Sequence, residues 1–274
     1  MEQFSPLNQP YYSPIISPSM PLSLGLTSGF NLRQEQNSLA KSPFIIGICG
    51  GSCSGKSLIA DTLKRSLDFS ASVVNEFDFY MPTENQTPDY THNFDDPNAI
   101  DWESLKACLE SLNGHRPFDC PQYNLEKQKK KKKTIKIFPT PVVIIEGLFL
   151  FCKPEIRELI DMKIFVDCPD DVRLGHRVRK FIGRGLYTLQ FITDYYQKYT
   201  KPAFEQYIEP SKVHADLIIP NFGIFNNSKD VESMVSHIAN AIYGRQPPTE
   251  LINRLRYAPM RIAFRGKEPT LLDI

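Results

Sequence analysis

A chain of 274 residues with 41% hydrophobic and 23% charged side chains is long enough for one α/β domain with tails. Its net charge of +1 argues against a dedicated nucleic-acid-binding protein, whose surface would be strongly basic. Six cysteines without C-x-x-C spacing indicate neither a zinc site nor a disulfide framework. Neither a membrane span nor a signal peptide is evident, so we expect a cytoplasmic protein with reduced thiols and no membrane partner.

The distribution of proline and of regular periodicity divides the chain into three parts. Residues 1–42 are rich in proline, serine and asparagine and low in charge, which predicts a disordered tail. Residues 43–243 carry the strand and helix patterns of a folded domain. Residues 244–274 lose those patterns and form a C-terminal extension, which either packs on the domain or binds a partner.

A glycine-rich motif follows the first apolar run of the domain, residues 44–49. Residues 50–57 match G-x-x-x-x-G-K-[ST], and helical periodicity begins directly after them. Because glycines let the backbone N–H groups turn inward at a helix N-terminus, the motif predicts a P-loop that binds ATP phosphates. Lys56 would reach the β- and γ-phosphates, and the Ser57 hydroxyl would bind Mg²⁺. The predicted phosphate-binding residues of the loop are Gly50, Gly51, Ser52, Cys53, Ser54, Gly55, Lys56 and Ser57.

A second buried strand is predicted over residues 71–77, ending at Asp78. Residues 81–100 show no periodicity and predict a long surface loop, which is usually functional or disordered. Asp101 is predicted to cap a helix that stops near Gly114.

Two short extended pieces, residues 120–124 and 133–138, predict a small β-hairpin with a lysine-rich tip. The tip contains five consecutive lysines, residues 129–133. Such a run is most often a solvated, self-repelling loop, while binding of RNA or an acidic partner, or a nuclear address, stays open.

Residues 142–147 give the clearest parallel strand, four apolar residues closed by Glu146 and Gly147. Ligands of doubly wound sheets bind at the carboxyl ends of the strands. Glu146 is therefore the predicted Mg²⁺-associated carboxylate, acting directly or through water.

The remaining elements complete a doubly wound pattern. A short helix over 155–161, a strand over 162–167, a strand over 215–220 and a closing helix over 229–243 are predicted. A basic helix from about Asp170 and a helix over 189–207 flank Gly183-Arg184-Gly185, which predicts a mobile helical lid. The fold class is therefore α/β, a P-loop NTPase-type doubly wound parallel sheet with a hairpin insertion and a lid.

With these motifs in view, the chain resembles the uridine kinase, or uridine–cytidine kinase, family of P-loop kinases. The Asn-Phe-Asp-x-Pro segment at 93–97 and the Lys-Pro-x-Phe segment at 201–204 are its most specific features. The resemblance covers about residues 44–243 and rests on segments 50–57, 93–101, 121–123, 144–147, 165–167, 201–212 and 215–220.

The resemblance implies transfer of the ATP γ-phosphoryl group to the 5′-hydroxyl of a ribonucleoside, with uridine and cytidine first, as in pyrimidine salvage. It implies ATP and Mg²⁺ as cofactors and a homo-oligomer. Asp95 would hold the ribose hydroxyls with Arg177, and Phe94 and Tyr123 would line the base pocket. Further implied roles fall on Glu146 and Ser57 for Mg²⁺, Lys180 and Arg184 for the phosphates, and Gln128 for the base edge.

The sequence departs from the family pattern in three places. The family's general-base aspartate falls in gapless register on Phe77, so Asp78 serves only if the backbone slips or bulges by one residue. Gln128 stands where a family histidine reads the pyrimidine. The lid has Leu186-Tyr187 where a second arginine is expected.

These departures keep two alternatives open. One is a kinase for another riboside or hydroxylated metabolite, such as nicotinamide riboside, pantothenate or ribulose phosphate. The other is a nucleotide-binding pseudokinase with a displaced catalytic aspartate.

Overall fold

The computed structural model describes residues 42–67, 71–82, 92–125, 127–183, 185, 187–221, 235–236 and 238–239. The strands are β1 Phe44–Gly50, β2 Ala71–Asn75, β3 Phe118–Cys120, β4 Tyr123–Asn124, β5 Lys129–Lys130, β6 Ile135–Ile137, β7 Val142–Gly147, β8 Met162–Asp167 and β9 Leu217–Pro220. The α-helices are α1 Lys56–Ser66, α2 Trp102–Asn113, α3 Pro154–Arg157, α4 Asp170–Ile182, α5 Leu189–Tyr195, α6 Lys201–Ala203 and α7 Glu209–Ser211. The predicted N-terminal tail, the C-terminal extension and most of the predicted closing helix lie outside the described residues.

The central sheet has five parallel strands in the order β2-β7-β1-β8-β9. In the middle of β7, Ile144 lies opposite Ile46 of β1 and Val73 of β2. The non-sequential order puts a crossover after β1 and another after β7, which is the doubly wound arrangement. The predicted parallel sheet is confirmed.

Both faces of this sheet are buried, which explains why its strands are continuous apolar runs rather than alternating ones. Ile45 and Cys49 of β1 belong to the hydrophobic cluster that includes α2, whereas Ile46 and Ile48 belong to the cluster that includes α1. The carboxyl ends of β1, β2 and β7 meet at one edge, where the P-loop and Glu146 lie.

The chain leaves the sheet earlier than the sequence predicts after the second strand. Strand β2 ends at Asn75, and residues Glu76–Phe79 form a 3₁₀ turn instead of a continued strand. The Asn75 side chain caps this turn by accepting a hydrogen bond from the Phe77 N–H, with a separation of 3.0 Å. Side chains in a 3₁₀ turn no longer alternate between two faces, so neither a register slip nor a bulge sets the direction of Asp78.

The hairpin insertion is present, with a different division of the lysine run. Strand β3 pairs with β6, and β4 pairs with β5, both antiparallel. Residues 125, 127 and 128 lie in the turn, so that Lys129 and Lys130 lie in β5 and Lys131, Lys132 and Lys133 form an exposed loop. Lys130 is tied to Asp101 at the start of α2 by an ion pair of 3.0 Å.

The two predicted lid helices are present, and the second is longer than expected. Helix α5 runs through the π-helical turns Tyr196–Thr200 and Phe204–Ile208 and through α6 to α7, past the predicted end at 207. Single π turns are frequent at functional sites, and Thr200 in the first one contacts Asp95. In the predicted hinge, Arg184 lies outside the described residues. None of the described helices is long and apolar enough to cross a membrane.

Candidate active site

The P-loop connects the end of β1 to the start of α1, as the motif requires. Gly55 has a φ of 103°, a left-handed conformation that favours glycine, directly before the first residue of α1. Gly50 has a φ of 148°, and a Cβ atom there would lie 2.5 Å from the Val166 carbonyl oxygen of β8. The Lys56 Nζ donates a hydrogen bond to the Gly51 carbonyl over 2.9 Å, which folds the lysine back along the loop.

A buried arginine supports this loop from below. Arg173 of α4 is 1% exposed, donates from Nε to the Cys168 carbonyl over 3.0 Å and pairs with Asp170. Its guanidinium carbon lies 3.6 Å from the ring centroid of Phe204. Its Nη1 has no hydrogen-bond partner, and a Cβ at Gly51 would lie 2.6 Å from it. An unpaired guanidinium nitrogen against Gly51 adds positive charge behind the P-loop, which fits the predicted anionic ligand.

Ser57 and Glu146 form a paired oxygen site at the start of α1 and the end of β7. The Ser57 hydroxyl donates to Glu146 Oε2 over 2.7 Å, and the Asn75 amide donates to Glu146 Oε1 over 3.4 Å. Burial raises the pKa of Glu146, while the Ser57 hydrogen bond and the Lys56 charge oppose that rise. A hydroxyl and one carboxylate beside a phosphate loop fit Mg²⁺, which relies on few protein ligands together with substrate phosphates.

A cavity of about 540 Å³ opens beside the P-loop and brings most predicted site residues together. The predicted residues that line it are Ser52, Cys53, Gly55, Lys56, Ser57, Phe94, Asp95, Gln128, Glu146, Arg177 and Lys180. Gly50, Gly51 and Ser54 shape the loop without lining the cavity, and neither Asp78 nor Tyr123 lines it. One side of this cavity is therefore lined by the P-loop residues, and the other side carries Phe94 and Asp95.

Two tyrosines fix the backbone of Phe94, and a threonine fixes Asp95. The Tyr80 hydroxyl donates to the Phe94 carbonyl, and the Phe94 N–H donates to the Tyr195 hydroxyl, each over 2.8 Å. The Thr200 hydroxyl donates to Asp95 Oδ2 over 2.7 Å, and Asp95 is only 6% exposed. Sequence reasoning missed Tyr195 and Thr200, since a Tyr-rich helical pattern alone does not distinguish a packing face from a site.

Aromatic rings cover both walls of the cavity. Phe77, Tyr80 and Phe94 lie on the side of the sheet, and their ring pairs are tilted or edge-to-face at 5.4 to 5.9 Å. Tyr123 packs behind these rings, 5.5 Å from Phe77 and 6.2 Å from Phe94, rather than facing the cavity. The expectation that Tyr123 lines the base pocket is thus replaced by a supporting position.

The opposite wall comes from the lid helices. Tyr187 stacks on Phe191 with centroids 4.8 Å apart, and both line the cavity with Phe181 and Tyr195. Arg177 of α4 lies among them, donates from Nη1 to the Ser52 hydroxyl over 3.1 Å and sits 5.3 Å from the Tyr195 ring centroid. At residue 187, where the family pattern led us to expect an arginine, this wall has an aromatic ring instead.

The Asp78 carboxylate faces the hairpin instead of the cavity. Its Oδ1 accepts from the Tyr123 N–H and its Oδ2 accepts from the Gln122 amide, each over 3.1 Å. Burial raises the pKa of Asp78, and these two hydrogen bonds oppose the rise. The carboxylate anchors strand β4 to the 3₁₀ turn, so its predicted role as general base has no geometric support.

Glu76 directly precedes Phe77 and lines the cavity, whereas the sequence analysis predicted that it lies inside a strand. Its side chain is 1% exposed and accepts from the Leu148 N–H over 2.8 Å and from the Phe149 N–H over 3.1 Å. Burial raises the pKa of Glu76 to about 7, against those two hydrogen bonds and the Lys56 charge. The sequence feature that could have identified Glu76 as a site residue is a charged side chain at the end of a predicted buried strand.

Comparison with known proteins shows the family of the chain. A family model described as "Phosphoribulokinase / Uridine kinase family" matches residues 45–226. The chain belongs to this family. Because the matched segment runs from β1 past β9, family membership covers the P-loop, the hairpin and the lid together.

Individual members of the phosphoribulokinase and uridine kinase family give the range of similarity. "Uridine kinase-like protein 3" of Arabidopsis thaliana is 36% identical over 258 residues, 91% of this chain and 54% of that protein. "Uridine-cytidine kinase B" of Dictyostelium discoideum is 33% identical, over 77% of this chain and 87% of that protein. Phosphoribulokinase from Rhodobacter spheroides has the same fold, with a TM-score of 0.51, 15% identity and coverage of 66% and 71%. The chain spans about half the length of the Arabidopsis relatives it matches.

The P-loop thiol of this family member gives a first prediction. Cys53 is half-buried and lines the cavity, whereas burial raises the pKa of Cys152 to about 11 and four other thiols are buried. We expect iodoacetamide to modify Cys53 first and to weaken nucleotide binding at least about tenfold, because the added group would occupy phosphate space. Peptide mass spectrometry with and without MgATP measures which thiol is modified. A Cys53→Ala variant whose nucleotide binding is as sensitive to iodoacetamide as that of the wild type would contradict the prediction.

Proposed function

We propose that this protein transfers the γ-phosphoryl group of ATP to the 5′-hydroxyl of a ribonucleoside, with uridine and cytidine as substrates. The single observation that carries the proposal is that Lys56, Ser57 and Glu146 line the same cavity as Phe94 and Asp95. Family members named uridine kinase or uridine-cytidine kinase support the substrate class.

The phosphate end of the cavity supplies positive charge and a metal position. Lys56 and Lys180 both line the cavity. As cations they would stabilise the charge that develops on the transferred phosphoryl group, which is the main task in phosphoryl transfer. Mg²⁺ held by Ser57, Glu146 and phosphate oxygens would neutralise the phosphates and orient them. Arg184 is proposed as a further lid cation, by family resemblance.

The nucleoside end supplies a carboxylate and flat apolar surfaces. Asp95 is held by Thr200 and can accept from both hydroxyls of a ribose, with Arg177 lining the same space. Phe94, fixed by two tyrosines, offers an aromatic face to a base. Gln128 is 1% exposed at the cavity and carries both donor and acceptor groups that suit a base edge.

The activity is tested by incubating the purified protein with MgATP and a panel of ribonucleosides and hydroxylated metabolites, and by separating products by chromatography. We expect uridine to give uridine monophosphate and cytidine to give cytidine monophosphate, with one ADP formed for each nucleoside monophosphate. Phosphorylation of nicotinamide riboside, pantothenate or ribulose phosphate instead would redirect the substrate assignment. Absence of any product beside an active control kinase would refute the proposal.

A second candidate function is nucleotide binding without phosphoryl transfer. The observation that favours it is the direction of Asp78, whose carboxylate is bound to the hairpin while the Phe77 ring lines the cavity. It predicts ATP binding by calorimetry with no product from any acceptor. Turnover of one nucleoside would dismiss it.

Thr200 gives a prediction that is specific to the nucleoside end. Replacing Thr200 by Val keeps its shape and removes the 2.7 Å hydrogen bond to Asp95. Because hydrogen bonds to charged groups contribute about 1.5–3 kcal/mol, we expect the KM for uridine to rise about tenfold or more, with the KM for ATP unchanged. Thr193→Val is the matched control, since its hydroxyl donates to the Leu189 and Gln190 carbonyls of its own helix, α5. Equal effects of both variants would contradict the role of Thr200.

A further inference from the structure

We propose that Glu76, and not Asp78, is the carboxylate that accepts the proton of the nucleoside hydroxyl during phosphoryl transfer. The inference rests on the proposed function and assigns one more catalytic residue to that site. It follows from which side chains of one short turn reach the cavity, and from what holds them there.

The turn Glu76–Phe79 sorts its side chains between two environments. Glu76 and Phe77 line the cavity, whereas Asp78 faces the hairpin and Phe79 lies in the core. Asp78 is bound to Tyr123 and Gln122 of the hairpin and does not line the cavity. Glu76 is thus the acid of this turn that shares the cavity with Lys56 and Glu146.

The Glu76 carboxylate is held in place and keeps acceptor capacity. Two backbone N–H groups, from Leu148 and Phe149, bind it through three contacts of 2.8 to 3.3 Å. It also lies directly over Gly147 at the carboxyl end of β7, where a Cβ atom would collide with it. A carboxylate offers about four lone-pair sites, so a substrate hydroxyl can still donate to it. Two donors from one rigid loop fix its direction, as an efficient base requires.

The transfer forms one bond to phosphorus, breaks another and moves one proton. The hydroxyl oxygen forms a bond to the γ-phosphorus, the bond between that phosphorus and the bridging oxygen breaks, and ADP leaves. The hydroxyl proton passes to Glu76, which becomes a neutral acid and returns the proton to solvent after product release. Phe77, the next residue, also lines the cavity and adds an apolar surface there.

The surroundings of Glu76 give the step a pH signature. Its carboxylate interacts electrostatically with Lys56 of α1, Glu146 of β7, Cys49 of β1, Tyr80 and Cys152. Burial, opposed by the two N–H donors and Lys56, raises its pKa to about 7. A base must be deprotonated to act, so kcat should rise with pH through that value and then level off.

The test compares wild type with Glu76→Gln, Asp78→Asn and the surface control Glu155→Gln. Uridine phosphorylation is measured between about pH 5.5 and pH 9, and nucleotide binding is measured with a fluorescent ADP analogue. Glu76→Gln keeps an oxygen acceptor for the loop N–H groups, so nucleotide binding should persist. We expect its kcat to fall about 10²–10⁴-fold, the worth of general-base assistance, with little change in KM and with the pH-dependent rise lost. Asp78→Asn and Glu155→Gln should keep the rise.

Each result decides the assignment. If the wild type is active and Glu76→Gln keeps its rate and pH profile, the role of Glu76 as the base is overturned and the proposed function is not. Glu76 then only holds the loop through the Leu148 and Phe149 N–H groups. Loss of the pH-dependent rise in Asp78→Asn returns the role to Asp78, and this holds even if Glu76→Gln fails to fold. In that case Glu76→Asp, which keeps an acid, should retain the rise at reduced rate. A wild type that binds ATP and phosphorylates no nucleoside overturns the proposed function and the base together.

Discussion

Replacing Lys56 by Met is expected to lower kcat for uridine phosphorylation about 10³-fold, the largest loss we predict for the phosphate end of the site. The Lys56 ammonium is folded along the P-loop by its hydrogen bond to Gly51 and lines the cavity. Burial lowers the pKa of Lys56, and the Glu146 charge opposes that shift, so the cation depends on its acidic neighbour. Removing one preorganised positive group costs about 10²–10³-fold or more in the rate of phosphoryl and acyl transfer. The Lys56→Met variant should therefore still bind ATP but transfer its phosphoryl group slowly.

The matched control is Lys64→Met, which changes the same residue type on the same helix, α1, away from the cavity. It should retain the wild-type rate within about twofold, since isolated charges of this kind contribute little. Steady-state rates at saturating MgATP, with circular dichroism to verify folding, measure both variants. A Lys56→Met enzyme with near-normal kcat would mean that the loop does not act on the transferred phosphate.

The parts of the fold that were predictable from sequence are those governed by local chemistry. The strand–loop–helix around residues 50–57 needs glycines, a lysine and a buried apolar run, all of which are visible in the chain. Strand β8 was predicted with its observed bounds, since a six-residue segment with four apolar residues between two predicted helices is typical of a buried parallel strand. In each case the preference of the segment agrees with its place in the sheet.

The parts that could not be predicted depend on contacts between distant residues. The early end of β2 is set by the Asn75 cap and by the N–H groups of Leu148 and Phe149, which bind Glu76 some 72 residues away in sequence. The burial of Tyr123 behind Phe77 and Phe94 likewise depends on how the hairpin packs. A pattern of residue types contains no information on these pairings, which is why the direction of Asp78 came only from the structure.

The functional residues divide in the same way. The P-loop residues and Glu146 follow from position in the motif or at a strand end, and the structure brings them together. Thr200 and Tyr195 act on Asp95 and Phe94 across about a hundred residues of chain, through single hydrogen bonds. Such supporting contacts position the side chains of the proposed nucleoside site, and they depend on packing between distant residues, not on sequence spacing.

Glu146→Gln is expected to weaken the apparent affinity for Mg²⁺ about 10–100-fold and to lower kcat about 10²-fold. The variant keeps an oxygen near the Ser57 hydroxyl, 2.7 Å from Oε2 in the wild type, and removes the negative charge. A metal held by one carboxylate, one hydroxyl and phosphate oxygens depends on that charge, and altered metal contacts commonly cost 10–100-fold. Raising Mg²⁺ should recover part of the rate, since the position is weakened and not blocked.

Asp61→Asn is the control for Glu146→Gln, because it removes a nearby negative charge without changing a predicted metal ligand. Asp61 lies four residues after Ser57 on the exposed side of α1, its charge acts on Glu146, and it does not line the cavity. Rates measured over a Mg²⁺ series should change less than about twofold in Asp61→Asn. Because Ser57 and Glu146 share one hydrogen bond, Ser57→Ala and Glu146→Gln should be strongly non-additive when combined. Additive losses, or a Glu146→Gln enzyme with an unaltered Mg²⁺ dependence, would place the metal elsewhere in the cleft.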